Sequence, residues 1–200
     1  MAQKENKRLV AVFDFDGTLT SRDTMFDFIG FACGKFKLWF GLLLFAPMIA
    51  VMFMKIIDNN RCKQMILSWY FKGMKYNDFR KLGERYAARA KELLREDTLQ
   101  YLRDRKEEGC KVYVVSASIR EWVAPICLSL GVDEVLATEF AVDAEGMLTE
   151  RFSVHNCFGQ EKVRRLLERE PHRVDYYLYA YGDSRGDKEM FEFADEHLKV

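Results

Sequence analysis

Leu9-Val-Ala-Val-Phe-Asp-Phe-Asp-Gly-Thr-Leu-Thr20 decides the fold. Its first five residues are apolar and stop at a carboxylate. A short apolar run without polar alternation reads as a strand buried on both faces. Asp14 and Asp16 follow two residues apart, with Gly17 behind them, so the two carboxylates can converge where the strand gives way to a loop. In an open parallel sheet, ligands bind at that carboxyl end.

Working outward, three more strands are legible. Val112 to Val115 ends at Ser116, residues 176–181 end at Gly182-Asp183, and a weaker run covers 134–138. Helical patterns lie between them, at roughly 97–108, 119–130 and 160–168. This alternation predicts an α/β fold with a Rossmann-like, mostly parallel sheet. Ser118-Ile-Arg-Glu121 reads as a capping box opening a helix that Gly131 closes. Residues 141–152 read as a hairpin around Asp143-Ala-Glu-Gly146, and the closing residues as another strand. Residues 20–95 break the alternation and read as consecutive helices. They are expected to form an all-helical cap inserted after the first strand, leaving 1–19 and 96–200 as the catalytic core.

Composition narrows the function classes. The 200 residues are 49% hydrophobic, which suits one domain with an inserted module. Thirty-one basic and 31 acidic residues cancel, so no general pull toward nucleic acid is expected. Five cysteines, an odd number with no C-x-x-C pair, read as reduced thiols of a cytoplasmic protein. The three histidines lack metal-ligand spacing. The polar start, Met1 to Arg8, has no apolar signal core, so export is not expected.

The chemistry-bearing residues cluster at strand ends. Ser116 precedes a helix N-terminus, whose free N–H groups favour phosphate. Lys162 sits near a helix start, against the helix dipole. Asp183 and Asp187, in Gly182-Asp-Ser-Arg-Gly-Asp187, follow a strand directly. A carboxylate nucleophile splits phosphoester hydrolysis into two steps, and Asp14 is placed for that role. Blander readings remain open. Asp14 and Asp16 could be turn formers, Ser116 a small strand-end residue, Ser118 an N-cap, and Asp187 the N-cap of the last helix.

D-x-D-G-T, a strand-end serine, a helical lysine and G-D-S-x-x-D, in this order from Asp14 to Asp187, resemble the haloacid dehalogenase-like superfamily. The large helical insertion after the first motif resembles its phosphoserine phosphatase branch. Asp23-Thr-Met-Phe, the apolar segment after it and Cys157-Phe-Gly-Gln-Glu-Lys162-Val also resemble phosphatidylglycerophosphatase C-like proteins. The resemblance implies a phosphatase with Mg²⁺ held by Asp14, the main-chain carbonyl of Asp16 and Asp183. It implies Asp16 as leaving-group acid, Ser116 and Lys162 as phosphate ligands, and Thr18 and Asp187 in support. It sets Asp23 where the phosphoserine branch carries a glutamate facing the substrate amine, although Thr20-x-x-Asp23 is itself a capping box. Arg61 falls roughly where that branch carries a carboxylate-binding arginine. Arg120 and Arg185 flank the motifs and read as solvated. The implied substrate is a small phosphorylated metabolite such as phosphoserine, with a lipid phosphomonoester such as phosphatidylglycerophosphate as the alternative. A membrane-surface binding module that has lost catalysis is the non-enzymatic alternative.

Leu38-Trp-Phe-Gly-Leu-Leu-Leu-Phe-Ala-Pro-Met-Ile-Ala-Val-Met-Phe-Met54 contains no charge and is flanked by Lys35, Lys37 and Lys55. It lies at the short limit for a bilayer span. A single crossing would put Asp14 on the opposite side from Ser116 and Asp183. A buried cap helix, a homodimer contact and a segment lying in the membrane surface at the inner face remain. Pro47 is expected to kink or break the helix.

Overall fold

The computed structural model describes residues 7–54 and 58–200; the polar N-terminal residues 1–6 and the flanking Lys55 lie outside the described residues. Strand β1 (Arg8–Phe13) leads into four helices, α1 (Thr24–Cys33), α2 (Lys35–Phe53), α3 (Asn59–Phe71) and α4 (Tyr76–Ala90). The alternating part follows: α5 (Glu96–Glu107), β2 (Lys111–Ile119), α6 (Arg120–Ser129) and β3 (Glu134–Thr138). A hairpin of β4 (Phe140–Val142) and β5 (Leu148–Phe152) precedes α7 (Gln160–Arg169), β6 (Tyr176–Gly182), α8 (Lys188–Phe193) and β7 (Glu196–Lys199).

The sheet is parallel throughout, in the order β3-β2-β1-β6-β7. β1 is central and its residues alternate between two apolar layers. Ala11 and Phe13 face the layer that includes α1, α3, α4 and α6, while Val10 and Val12 face Val163, Leu166 and Met190. Burial on both faces explains the unbroken apolar run. The chain proceeds from β1 to β2 and β3 on one side, then returns to β6 on the other. The carboxyl ends of β1 and β6 therefore flank the switch point of the sheet, where Phe13 pairs with Tyr181 and the Asp14 N–H donates to the Tyr181 carbonyl at 2.9 Å.

At the opposite end, Glu170, just past α7, ties the layers together. It accepts from the Tyr113 hydroxyl at 2.7 Å, Arg8 at 2.9 Å and Lys111 at 3.1 Å. Burial alone would raise its carboxyl, but these three donors hold it below the usual range.

The helical insertion is fastened to the rest of the chain in three places. Its two connecting segments pair, Ser21 N–H to the Leu93 carbonyl at 2.7 Å and Arg95 N–H to the Leu19 carbonyl at 3.0 Å. The turn between α3 and α4 bonds to the β4–β5 hairpin: Gly73 N–H to the Leu148 carbonyl at 2.8 Å, and Tyr76 N–H to the Gly146 carbonyl at 2.9 Å. The third fastening is aromatic. Phe28 stacks on Trp122 of α6 at 4.4 Å and meets Tyr86 edge-on at 5.2 Å, while Phe79 meets Phe140 at 5.6 Å. Such pairs add about 0.5–1.5 kcal/mol each beyond the area they bury.

Four sequence expectations are corrected. β2 does not end at Ser116; it runs to Ile119 through a register shift against β3. The helix that follows has Ile119 at its N-cap without a side-chain cap bond, so Ser118 and Glu121 form no capping box. Thr20 caps nothing either: it donates to the Phe15 and Arg22 carbonyls, and Asp23 is itself the N-cap of α1, accepting from Met25 N–H at 2.7 Å. Pro47 does not break α2, which continues from Lys35 to Phe53.

A fifth correction concerns burial of the apolar segment. The described side chains of α2 are mostly not buried: Phe36 is 87% exposed, Leu43 75% and Trp39 68%. Nineteen residues form one rod that packs on α1 and α3 along one side only. A rod apolar all round cannot hide its far side in so small an insertion.

Candidate active site

Asp14 leaves β1 buried, and its Oδ1 accepts from Lys162 Nζ at 2.6 Å. Lys162 also donates to Asp187 Oδ1 at 2.6 Å, so the ammonium bridges the two carboxylates. All three side chains are almost wholly buried. α7 delivers the lysine in its first turn, which explains how a cation tolerates that end of a helix: it is neutralised from outside the helix. Asp187 belongs to a single helical turn, Arg185–Asp187. There its Oδ2 accepts from the N–H groups of Asp183 and Ser184 and from the Ser184 hydroxyl. It makes no side-chain cap on α8, so the N-cap reading of Asp187 is replaced by orientation of Lys162 and of the loop carrying Asp183.

Asp183 comes close to the first loop. Gly17 has φ +80°, and a Cβ there would lie 2.2 Å from Asp183 Oδ2. Glycine is required twice over, by conformation and by space. Asp183 Oδ1 is buried without a hydrogen-bond partner among the described residues. Asp14, Asp183 and Asp187 bring carboxylate oxygens within 4.8 Å of one another.

The electrostatics point the same way. Burial, with the charges of Asp187 and Asp16, pushes the Asp14 carboxyl up to about 7 despite Lys162. Burial and the neighbouring Asp187 raise Asp183 also. Burial works against the Lys162 ammonium, yet Asp14 and Asp187 outweigh it and hold its proton more tightly than usual. Burial is the largest cause of the two carboxyl shifts, and in all three groups the neighbouring carboxylates push the same way. An orphaned carboxylate oxygen beside an under-neutralised acidic cluster suits a hard divalent cation with oxygen ligands.

A cavity of about 770 Å³ opens over this cluster. Asp14, Asp16, Lys162 and Asp183 lie at its polar end, with Asp23 and Lys63 nearby, and Met25, Phe26, Leu42, Ile49, Met52 and Ile66 give it an apolar wall. Lys63 is a site residue that sequence reasoning missed. It reaches in from α3 and donates to the Ala117 carbonyl at 2.9 Å. Burial lowers its ammonium, while Asp23, Asp16 and Asp14 counter that effect. Arg61, the residue suggested by resemblance, is exposed and does not line the cavity. A lysine two positions further along was legible as a candidate only by asking which neighbour faces inward.

The remaining expected residues divide. Thr18 is wholly buried, 3.5 Å from Asp14 Oδ2, and supports Asp14 without reaching the cavity wall. Ser116 is wholly buried too. It accepts from the Ser118 N–H at 3.0 Å, and Ala117 rather than Ser116 lines the cavity. Asp23 lines it, with a carboxyl raised by burial and by Asp16. Arg120 and Arg185 stay outside. Ser118 is not a cap: its hydroxyl donates to Asp16 Oδ2 at 2.5 Å.

The family model of the haloacid dehalogenase-like hydrolases matches residues 11–192, nearly the whole chain. The chain belongs to this family. Protein CicA of Caulobacter vibrioides is 36% identical over 196 residues, covering 94% of this chain and 84% of CicA. Among solved structures, a Bordetella pertussis protein of unknown function superposes with a TM-score of 0.84 at 19% identity, covering 96% of this chain and 90% of that one. A phosphoserine phosphatase carrying a phospho-aspartyl intermediate analogue superposes with a TM-score of 0.63 at 21% identity, covering 96% and 86%. The fold is thus that of the phosphoserine phosphatase-like branch of these hydrolases.

Proposed function

We propose that this haloacid dehalogenase-like hydrolase is a magnesium-dependent phosphatase whose substrate is a lipid phosphomonoester met at a membrane surface. The carrying observation is the double role of α2. Leu42, Ile49 and Met52 line the cavity above Asp14, while Phe36, Trp39, Phe40, Leu43 and Leu44 of the same helix face outward, with Lys35 and Lys37 at its start. An apolar face beside exposed lysines suits an anionic lipid surface. The apolar cavity wall of Leu42, Ile49 and Met52 suits an acyl chain.

In this reading Asp14 attacks phosphorus and takes the phosphoryl group as an aspartyl-phosphate. Asp16 gives a proton to the leaving oxygen, then takes one from the water that hydrolyses the intermediate. Lys162 and Ser116 hold non-bridging phosphate oxygens, Ser116 after a local shift of the Ala117 peptide. Asp14, the Asp16 carbonyl and Asp183 would hold Mg²⁺, which when bound neutralises the phosphate charge. The helical insertion serves as a cap that shields the site from water. One observation favours a second substrate class. Asp23 and Lys63, both at the polar end of the cavity, suit the amine and carboxylate of a zwitterionic head such as phosphoserine.

The test compares dispersed phosphatidylglycerophosphate, phosphoserine and p-nitrophenyl phosphate as substrates, alongside sedimentation with phosphatidylglycerol vesicles. Asp14→Asn should abolish turnover of all three. Trp39→Glu with Leu43→Glu removes two exposed apolar side chains and should spare folding and p-nitrophenyl phosphate hydrolysis. It should weaken vesicle binding by on the order of a hundredfold or more, since each lost insertion removes about 1.5–3 kcal/mol. Wild-type protein that ignores vesicles and prefers phosphoserine overturns the lipid reading. A wild-type dimer that this double variant turns into monomers would assign the outward face to a second copy instead.

A further inference from the structure

We infer that Ser118 orients Asp16 for proton transfer, holding Oδ2 while Thr24 holds Oδ1. The inference rests on the acid–base role proposed for Asp16. Its geometry comes from three elements that meet on one carboxylate. Oδ1 accepts from the Thr24 N–H at 2.7 Å and from the Thr24 hydroxyl at 2.6 Å. The indole N–H of Trp122 donates to that same Thr24 hydroxyl oxygen at 3.2 Å. An indole N–H can only donate, so the Thr24 hydroxyl hydrogen is left to point at Asp16. Oδ1 therefore faces two hydrogens, of which the backbone N–H is fixed by the start of α1 and the hydroxyl hydrogen has Asp16 as its acceptor.

Oδ2 has a different partner. The Ser118 hydroxyl, 2.5 Å away and wholly buried, can both donate and accept. It donates to Oδ2 and, with Thr24 on the other oxygen, fixes the rotation of the Asp16 carboxyl group about its own bond. In the first half-reaction the Asp16 proton passes to the leaving oxygen as the P–O bond breaks and the Asp14–phosphorus bond forms. In the second, water attacks phosphorus, its proton returns to Asp16 and Asp14 is released. Ser118 does not line the cavity and touches no substrate, so it is a positioning residue. Its place depends on β2 continuing past Ser116 to Ile119, with the Ser118 N–H donated to the Ser116 hydroxyl oxygen at 3.0 Å.

The experiment measures kcat on octyl phosphate and on p-nitrophenyl phosphate, whose leaving group needs little protonation. The ratio of the two rates does not depend on how much of a preparation is folded. Ser118→Ala should slow octyl phosphate about tenfold more than the aryl ester, a part of the 10²–10⁴ that a positioned acid supplies. Half-saturation by Mg²⁺ should not change. Ser118→Thr keeps the hydroxyl and should restore the wild-type ratio. Asp16→Asn, run in parallel, should shift the ratio further in the same direction. If Asp16→Asn shifts the ratio and Ser118→Ala does not, the role of Ser118 is refuted while the acid stands. If Asp16→Asn leaves the ratio unchanged, the acid role falls and the inference falls with it.

Discussion

Replacing Gly83 with alanine tests how the insertion is seated on the core. Gly83 lies in α4, where its backbone rests directly on α6. A Cβ there would lie 1.9 Å from the Glu121 carbonyl oxygen, 2.6 Å from its carbon and 3.2 Å from the Trp122 Cα. Non-bonded heavy atoms prefer roughly 3.5–4.0 Å, so α4 would have to back away by well over an ångström. Two effects oppose each other. Alanine in a helix interior is favoured over glycine by about 1 kcal/mol. Overpacking costs about 1–3 kcal/mol, and the upper end applies because the obstacle is backbone, which cannot turn aside as a side chain can. Loosened contacts among Phe28, Phe79 and Trp122, which hold the same joint, add to the loss. The net expectation is a loss of about 1–2 kcal/mol, or a melting temperature lower by roughly 2–8 °C in a chain of this size. The assay is a thermal melt at neutral pH. A variant that melts higher than wild type, as relief of a helical glycine without a clash would produce, refutes the seating of α4 on α6.

Two further predictions follow from the acidic residues. Asp183→Asn and Gly17→Ala should both raise the Mg²⁺ concentration for half-maximal activity, the first by removing a ligand and the second by driving a methyl into its carboxylate; activation by Mg²⁺ unchanged in both would remove Asp183 from the metal site. Asp27 joins α1 to α4, accepting from the Tyr86 hydroxyl at 3.0 Å and from Arg89 at 3.2 Å. Burial would raise its carboxyl, but Arg89, Tyr86 and Arg22 together hold it below the usual range. A depressed folded value stabilises above the unfolded value of about 3.9 and loses that contribution as pH falls through the folded value. Asp27→Asn should therefore cost about 1 kcal/mol at pH 7, after discounting the half-exposed Arg89, and the gap to wild type should close below about pH 4. A gap that persists in acid would mean the loss is packing, not charge.

What the sequence disclosed and what it withheld follow one physical division. Strand-end carboxylates were legible because a buried strand must be an apolar run, and a charge placed at its end needs a reason. Asp14, Asp183 and Lys162 meet as expected, since a parallel sheet brings the ends of its strands to one edge. Ser118 was misread because a serine three residues before a glutamate satisfies a local rule, while the bond it makes is to Asp16, 102 positions away. Lys63 was passed over for Arg61 because the spacing through an irregular stretch of helices fixes no register, and only the packing of α3 shows which residue turns inward. The exposure of α2 could not be read either. A uniformly apolar helix has no polar face to declare its outside, so composition alone left burial, pairing and membrane contact all open for the segment. The core motifs carry the chemistry common to a whole family, and the insertion carries what distinguishes this chain: Thr24 on Asp16, Lys63 at the polar end of the cavity, and an apolar helix that is cavity wall on one side and outer surface on the other. Substrate choice is therefore to be sought in α1 to α3, where changes at Lys63, Leu42 or Trp39 can alter what enters while Asp14, Lys162 and Asp187 keep their contacts.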